Sequence, residues 1–289
     1  MASAVSTPRT FQDLPITLNY LAREELYQTV KPFLLNYASE TAHHHNLIPH
    51  VVRDVTLRDI RGRESDIEFQ RCGFGIIEMS SAMHYDDYFD DEKVKAVYCT
   101  EIGNVLLQHL RASSIQIFDY AARDRADHSL LPRFTLVCTL RYEPPVFEYE
   151  LTKVKILHLM PFKVFGIYVR ESFITVHSVW KPLKGPVHDW PLALCDASTV
   201  DTTQDLTAMD FVMKEDAAVE NIQVYHNEAH EWYYLSDQSI RELLVFRQGG
   251  SNGESAVPHT SFENPTPTGS DSTMQLRESI EIRALVYFD

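Results

Sequence analysis

The second half of the sequence is a succession of short segments in which apolar and polar residues alternate, separated by turn-rich stretches. From about residue 133 onward these segments read RFTLVCTLRY, FITVHSVW, LALCD, EWYYL, ELLVFR, SAVPHTSF and SIEIRALVYF. A period of two residues is typical of strands that have one buried face. So many strands in one half of the chain predict an α+β fold with a mainly β core, in which a sandwich or barrel carries helices on its outside.

The first part of the sequence mixes helical and strand patterns. AREELYQTVKPFLLNY predicts a helix broken near Pro32, and DDEKVKAVYCTEIGNVLLQHL predicts a helix with an acidic first turn. VRDVTLRDIRG and SIQIFDY predict strands, and ELTKVKILHLMPFKVFGIYV predicts a further helix that breaks at Pro161. We therefore predict one domain over residues 1–289, with a helix-rich part of about 1–132 and a β core of about 133–289.

Composition limits the partners of the chain. The 26 Lys and Arg residues stand against 41 Asp and Glu residues, and the resulting net charge of −15 repels nucleic acid and anionic lipid. The sequence has no apolar run of about 18 residues, its first residues lack the apolar block of a secretory signal, and its four cysteines form no CxxC pair. We expect a soluble, cytoplasmic protein whose partner is a small molecule, with a homodimer as a possible assembly.

A set of longer phrases occurs together and in a fixed order. They are HNLIPHVV, VTLRDIRG, DEKVKAVYCTEI, IQIFDYAARD, VWKPLKGPVHDWPLALCD, HEWYYLS, and PHTSFENP followed by RESIEIRALVYF. Over nearly the whole chain this set resembles the fungal hydroxylase/desaturase family related to gibberellin desaturase and to a cephem methoxylase subunit. The resemblance implies a double-stranded β-helix fold, also called jelly-roll or cupin-like, with Fe(II) and 2-oxoglutarate as cofactors and a small natural product as substrate.

The chemistry of that class explains which side chains the resemblance assigns. A facial triad of two histidines and one carboxylate leaves three metal positions open for the oxoacid and oxygen, and an arginine pairs with the far carboxylate of the oxoacid. His259 and Arg277 match the later half of this pattern, with Arg283 as a second candidate for the arginine. The His-x-Asp pair aligns with FEYELT, so that Glu148 and Glu150 stand where the two ligands belong.

Loss of that histidine leads us to expect that no metal and no other cofactor is bound. If Glu148 and Glu150 both face the cavity, their like charges raise the pKa of one of them, which makes it a proton donor beside an acceptor. We assign proton transfer to His259 and stabilisation of negative charge to Arg277 or Lys181. The alternative for the two glutamates is an edge strand on which they point into solvent.

The aromatic residues of the β half are candidates to line an apolar substrate pocket. We assign substrate binding to Trp180, Lys181, Trp232 and Tyr234, with core packing as the alternative for each aromatic residue.

These assignments describe a natural-product biosynthetic enzyme that uses an oxygenase-like scaffold without iron. We expect it to catalyse a redox-neutral cyclisation or isomerisation, such as a Diels–Alder reaction, of a small apolar polyene or enone held in one conformation. Two alternatives stay open. The first is a hydroxylase or desaturase that depends on Fe(II) and 2-oxoglutarate, and the second is a noncatalytic partner subunit.

Overall fold

Strands dominate the structure, a computed structural model that describes residues 13–37, 43–124, 139–140, 173–214, 217–251, 253–265 and 275–289. The strands in these ranges are β1 (Leu14–Leu21), β2 (Phe33–Leu35), β3 (Pro49–Asp59), β4 (Phe74–Glu78), β5 (Ser114–Asp124), β6 (Thr139–Leu140), β7 (Phe173–Pro182), β8 (Leu192–Cys195), β9 (Leu206–Lys214), β10 (Ala217–Val224), β11 (Trp232–Tyr234), β12 (Glu242–Gly250), β13 (His259–Ser261) and β14 (Glu278–Phe288). The helices are α1 (Phe69–Cys72), α2 (Asp91–Lys93) and α3 (Cys99–His109), and a π-helical turn (Val94–Tyr98) joins α2 to α3. Single 3-10 turns cover Glu25–Gln28, Glu64–Asp66, Tyr85–Phe89 and Ala197–Thr199.

Two five-stranded sheets lie face to face and enclose the space that we call the interior. The first sheet has the strand order β1-β3-β11-β8-β13, and the second has the order β4-β12-β7-β14-β5. One cluster of buried apolar side chains from both sheets fills much of the interior, and it includes Phe74, Trp180, Leu192, Leu194, Tyr233, Leu244 and Phe246. The β core predicted from the alternating segments is therefore confirmed. A third sheet, with the order β2-β9-β10-β6, completes the described strands.

The second sheet is covered on its other face by the helical segment 91–109. Apolar residues at every second position of the central strands meet the buried residues of this segment, and the contact includes Tyr98, Ile102, Leu106, Val179, Val245, Ile280, Ile282 and Ala284. Since side chains alternate along a strand, the residues between these positions point into the interior. The alternation therefore decides which side chains of β7, β12 and β14 can form a site.

The helix predicted across residues 22–37 is wrong. A 3-10 turn ends at Gln28, and Phe33–Leu35 form a short strand that pairs in parallel with β9. Pro32 has no backbone N–H and disfavours helical geometry at the residue before it, so the chain leaves the helical conformation early. The helix predicted from the DDEKV segment is confirmed, since α2, the π-helical turn and α3 run from residue 91 to 109.

The part before residue 125 is less helix-rich than expected, because it also contributes β1 to β5. The helix predicted from the ELTKV segment and most of the RFTLVCTLRY strand lie outside the described residues. In the described part of the chain, no helix combines the length and the apolar character that crossing a membrane requires.

His177 is an unusual side chain in the layer between the second sheet and the helices. It is 2% exposed, its ring lies 5.6 Å from the ring of Phe69, and it stands opposite Arg247 on β12. Neither ring nitrogen has a hydrogen-bond partner among the described residues. Burial, with a smaller contribution from the Arg247 charge, lowers the pKa of His177 to about 3. The imidazole is therefore neutral in the folded protein and its two nitrogens are desolvated without compensation.

We expect His177→Leu to stabilise the protein by about 1–3 kcal/mol at pH 7, because it removes two unsatisfied buried polar atoms. The folded-state pKa of His177 lies below the ordinary value of 6.5, so the unfolded state takes up the proton first and wild-type stability falls as the pH drops from about 6.5 toward about 3. The advantage of the leucine variant should therefore be larger at pH 5 than at pH 7. Urea unfolding at both pH values measures it.

The control for this prediction is His109→Leu, which makes the same change at an exposed histidine whose ring lies 6.2 Å from the Phe69 ring. That variant should shift the free energy of unfolding by less than about 0.5 kcal/mol. A His177→Leu protein that is no more stable than the wild type at either pH would contradict the prediction.

Candidate active site

The candidate site lies in the interior, where β13 and β14 face each other from the two sheets. His259 begins β13 and pairs with Leu194, which belongs to the interior cluster, and the His259 ring lies 4.7 Å from the ring of Phe246. On β14, Glu281 and Arg283 fall between the apolar residues that pack on the helices, so both side chains point into the interior. The pairing of strands thus brings an imidazole, a carboxylate and a guanidinium into one space.

The hydrogen bond of His259 fixes how its ring is presented. Nδ1 lies 3.0 Å from the backbone oxygen of Val257. Since a carbonyl oxygen only accepts, Nδ1 carries the proton and Nε2 is the nitrogen with a free lone pair. Burial lowers the pKa of His259, which favours this neutral form. A ring nitrogen held by a backbone carbonyl is the arrangement typical of histidines that bind a metal through the other nitrogen.

Glu281 is the centre of a polar network beside His259. Ser178 Oγ donates to Glu281 Oε1 at 3.0 Å, and Gln248 Nε2 donates to Ser178 Oγ at 2.9 Å. Arg283 Nε lies 3.6 Å from Oε1 and Arg123 Nη2 lies 3.5 Å from Oε2. Burial would raise the pKa of Glu281, but the two guanidiniums outweigh it and hold that pKa below its ordinary value. Glu281 is therefore a permanent negative charge at neutral pH.

The two arginines considered from the sequence occupy different environments. Arg283 is one of the charges that act on His259, and its Nη1 also lies 3.4 Å from an oxygen of Asp119. Arg277 precedes β14, where its Nη1 donates to the backbone oxygen of Trp190 at 2.5 Å and its backbone N–H donates to Asp189. Arg283 thus lies on the interior face of β14 beside Glu281, whereas Arg277 lies against the 189–190 turn with its Cζ 5.8 Å from the ring centre of Trp180.

Only part of the predicted substrate-binding set reaches the interior. Trp180 belongs to the interior cluster, whereas Lys181 lies on the other face of β7, with Nζ 4.5 Å from the ring centre of Tyr88. Burial lowers the pKa of Lys181 to about 8. Trp232 and Tyr234 pack in a separate cluster on the opposite face of the first sheet. In the structure, these two aromatic residues have the core-packing role named as the alternative.

The fit of a metal ion can be tested on the described side chains. Among them, no group of three His, Cys, Asp or Glu residues can hold a metal ion. His259 fits the role of one ligand, whereas Glu281 does not fit, because two guanidiniums already compensate its charge. Glu148 and Glu150 lie outside the described residues, so their assignment stays a prediction.

Four polar side chains of the site were not predicted from the sequence, namely Ser178, Gln248 and Glu281 in the interior and Arg123, which is exposed and contacts Glu281. A signal for one of them exists in the pattern of residues 280–284, where apolar and charged residues alternate. The pattern predicts two faces but not which face is covered by the helices. Only the packing of Ile280 and Ile282 on the helical layer decides it.

Comparisons with known proteins give the context of this site. A family model described as "Oxidoreductase/YMDC permease-like domain" matches residues 18–287. Aspirochlorine biosynthesis protein N of Aspergillus oryzae is 33% identical over 117 residues, which are 39% of this chain and 47% of that protein. The alpha-ketoglutarate-dependent dioxygenase phiK of Fungal sp. (strain ATCC 74256) is 27% identical over 262 residues, 82% of this chain and 84% of that protein.

The Fe(II)/2-oxoglutarate-dependent dioxygenase nvfI of Aspergillus novofumigatus is 26% identical over 281 residues, 92% of this chain and 91% of that protein. A solved structure of "iron and alpha-ketoglutarate-dependent endoperoxidase NvfI with different conformation" has a TM-score of 0.77 to this chain at 18% identity, and the match covers 96% of this chain and 99% of that one. The likeness confirms the predicted double-stranded β-helix fold.

The expectation that no cofactor is bound is contradicted by these comparisons. The relatives phiK and nvfI and the structural neighbour are all named as enzymes that depend on 2-oxoglutarate, and nvfI and its structure are named as iron-dependent. The expected place among fungal oxygenases is supported, while a specific relation to gibberellin desaturase and a lost metal motif are not shown. The chain belongs to the Oxidoreductase/YMDC permease-like domain family, and its relatives include fungal Fe(II)/2-oxoglutarate-dependent dioxygenases.

Proposed function

We propose that the protein is an Fe(II)/2-oxoglutarate-dependent oxygenase that hydroxylates or desaturates a small natural-product intermediate in fungal secondary metabolism. Homology to phiK and nvfI over more than four fifths of the chain supports the cofactor pair. The observation that carries the proposal is His259, an interior imidazole whose Nδ1 is held by the Val257 carbonyl while its Nε2 keeps the lone pair.

The described residues suggest which side chain would bind the metal ion and which would bind the oxoacid. Bound Fe(II) and 2-oxoglutarate would supply the activation of dioxygen, with the oxoacid converted to succinate and carbon dioxide. His259 is the proposed metal ligand, and Arg283 is the proposed partner of the oxoacid's far carboxylate. The apolar interior around Trp180 and Phe246 excludes water, which strengthens both electrostatic contacts and favours an apolar substrate.

Ferrous ion and 2-oxoglutarate themselves are the probes that test the proposal. The purified protein is titrated with ferrous ion under anaerobic conditions and then given 2-oxoglutarate and air, and succinate is quantified without any further substrate. We expect binding of ferrous ion, and slow succinate formation that requires both components and stops when a strong chelator is added. A protein that neither binds ferrous ion nor forms succinate would contradict the proposal. Binding of both cofactors without turnover would favour a noncatalytic partner subunit.

A comparison of Arg283→Gln with Arg277→Gln tests which guanidinium receives the oxoacid. Because Arg283 lies on the interior face of β14 beside Glu281, its loss should raise the KM for 2-oxoglutarate by about 30-fold or more, as loss of a partly buried charge partner costs at least about 2 kcal/mol. Arg277→Gln removes the hydrogen bond to Trp190 and should raise that KM less than about fivefold. Steady-state succinate formation at varied 2-oxoglutarate measures both. The reverse order of effects would assign the role to Arg277.

A further inference from the structure

Glu281 places a negative charge in a site that is proposed to bind an anion, and this needs an explanation. A carboxylate close to a bound oxoacid repels it, unless that carboxylate is paired with the cations that bind the oxoacid. We propose that Glu281 is a positioning residue that holds the guanidiniums of Arg283 and Arg123 in place for the carboxylate of 2-oxoglutarate. This inference rests on the proposed function and deepens it.

The hydrogen bonds show which end of the network is fixed. Glu281 Oε1 accepts from Ser178 at 3.0 Å, and Ser178 in turn accepts from Gln248 at 2.9 Å, both ordinary hydrogen-bond lengths. Ser178 and Gln248 belong to β7 and β12, the strands at the centre of the second sheet, and each is at most 2% exposed. Glu281 is therefore anchored by the core of the sheet rather than by the arginines.

The arginine contacts of Glu281 have a different character. The distances of 3.6 Å to Arg283 Nε and 3.5 Å to Arg123 Nη2 are those of ion pairs rather than of close hydrogen bonds. The two contacts fall on different carboxylate oxygens, so one acid holds two guanidiniums at once. Without the acid, the two cations would repel each other in a partly buried space and would separate. An anchored carboxylate keeps them together.

Charge balance agrees with this role. The two guanidiniums are matched by Glu281 and by Asp119, which contacts Arg283 at 3.4 Å, so neither positive charge is uncompensated before a ligand arrives, and Arg123 is also about half exposed to solvent. The low pKa of Glu281 keeps the charge in place at neutral pH. The permanent pairing also makes Glu281 a poor proton donor, which argues against a general-acid role.

The test compares Glu281→Gln with the matched variant Glu278→Gln. Glutamine keeps the size and the acceptor oxygen for Ser178 but loses the charge. Glu278 is a glutamate on the same strand, and it pairs with Lys184 and Tyr85 instead of the interior arginines. We expect Glu281→Gln to raise the Kd of 2-oxoglutarate about tenfold, measured by calorimetry on the anaerobic ferrous protein. The kcat at saturating 2-oxoglutarate should change less than about threefold, and Glu278→Gln should change neither quantity.

A double-mutant cycle separates positioning from a general effect on folding. If Glu281 acts through Arg123, the Glu281→Gln/Arg123→Gln protein should lose less affinity than the product of the two single losses. Should Glu281→Gln fail to fold, Ser178→Ala keeps the charge and removes its anchor, and it should weaken 2-oxoglutarate binding by about threefold or more.

The outcomes distinguish this inference from the proposed function. A wild-type protein that does not bind 2-oxoglutarate would overturn the proposed function, and this inference with it. A wild type that binds 2-oxoglutarate, combined with a Glu281→Gln protein that binds it equally or more tightly, would overturn only the positioning role. If the double variant loses 2-oxoglutarate affinity by the product of the two single losses, then Glu281 does not act through Arg123.

Discussion

Replacing His259 with alanine should lower ferrous affinity and succinate formation by about 100-fold or more. The imidazole is the described side chain that fits a metal ligand, and alanine removes the nitrogen without creating another donor. Loss of a residue that only orients a metal ligand typically lowers metal affinity or activity by about 10- to 100-fold. Loss of the ligand itself should therefore reach the upper end of this range. Anaerobic calorimetry with ferrous ion measures the affinity, and a succinate assay measures turnover.

The control for this experiment is His188→Ala. His188 is also partly exposed and also has a ring nitrogen engaged, in this case with Asp237 at 2.8 Å, but it lies in the turn region before β8. This variant should keep ferrous affinity within about threefold of the wild type. Circular dichroism and thermal unfolding establish that both variants fold. If His259→Ala binds ferrous ion as tightly as the wild type, then the metal site does not include this imidazole.

Much of the β core could be predicted from local sequence because the alternation is strong where a strand has one covered face. β7, β12 and β14 are examples, since each contains a segment that the pattern marks as a strand. The 22–37 segment misled the prediction because its residues have helical preferences, while Pro32 and the parallel pairing of β2 with β9 decide the outcome. Pairing between distant strands is not visible in a local pattern.

The site was less predictable than the fold. His259 follows from the resemblance of the PHTSFENP phrase, but the partners of this imidazole depend on strand register, which brings Glu281 and Arg283 beside it. Trp232 and Tyr234 show the same limit, because β11 presents them to one face and Tyr233 to the other. Neighbouring residues of a strand point to opposite faces of the sheet. A shift of one residue therefore decides whether a side chain faces the pocket or packs in the core.

The His226-Asn227-Glu228 segment shows how a His-x-acid sequence can arise for structural reasons. The His226 ring contacts the Tyr20 ring at 5.1 Å, and Asn227 Nδ2 donates to both carboxylate oxygens of Asp205. Among the described residues these side chains are part of no three-residue metal group. The segment therefore supports the packing around Asp205, and its contact with Tyr20 puts it with the cluster on the opposite face of the first sheet from His259.

Asp205 holds together a buried polar network at that position. It is 1% exposed, and its carboxylate accepts from Asn227 Nδ2 at 3.0 and 3.2 Å and from the Asp201 backbone N–H at 2.9 Å. His230 Nε2 lies 3.2 Å from Oδ2, and Arg23 Nη2 lies 3.6 Å from Oδ1. Since a carboxylate only accepts, His230 carries its proton on Nε2. One acid thus accepts hydrogen bonds from three residues and forms an ion pair with a fourth.

Asp205→Ala should therefore destabilise the protein by about 3–5 kcal/mol, because it leaves the buried imidazole of His230 and the part-buried donors of Asn227 and Asp201 without their acceptor. Asp205→Asn should cost less, since an amide keeps one acceptor oxygen while it loses the charge. Urea unfolding at pH 7 measures both, with Asp86→Ala as an exposed control that should stay within about 0.5 kcal/mol. A loss below about 1 kcal/mol for Asp205→Ala would mean that solvent reaches these donors in the folded protein. The network would then contribute little to the stability of the first sheet.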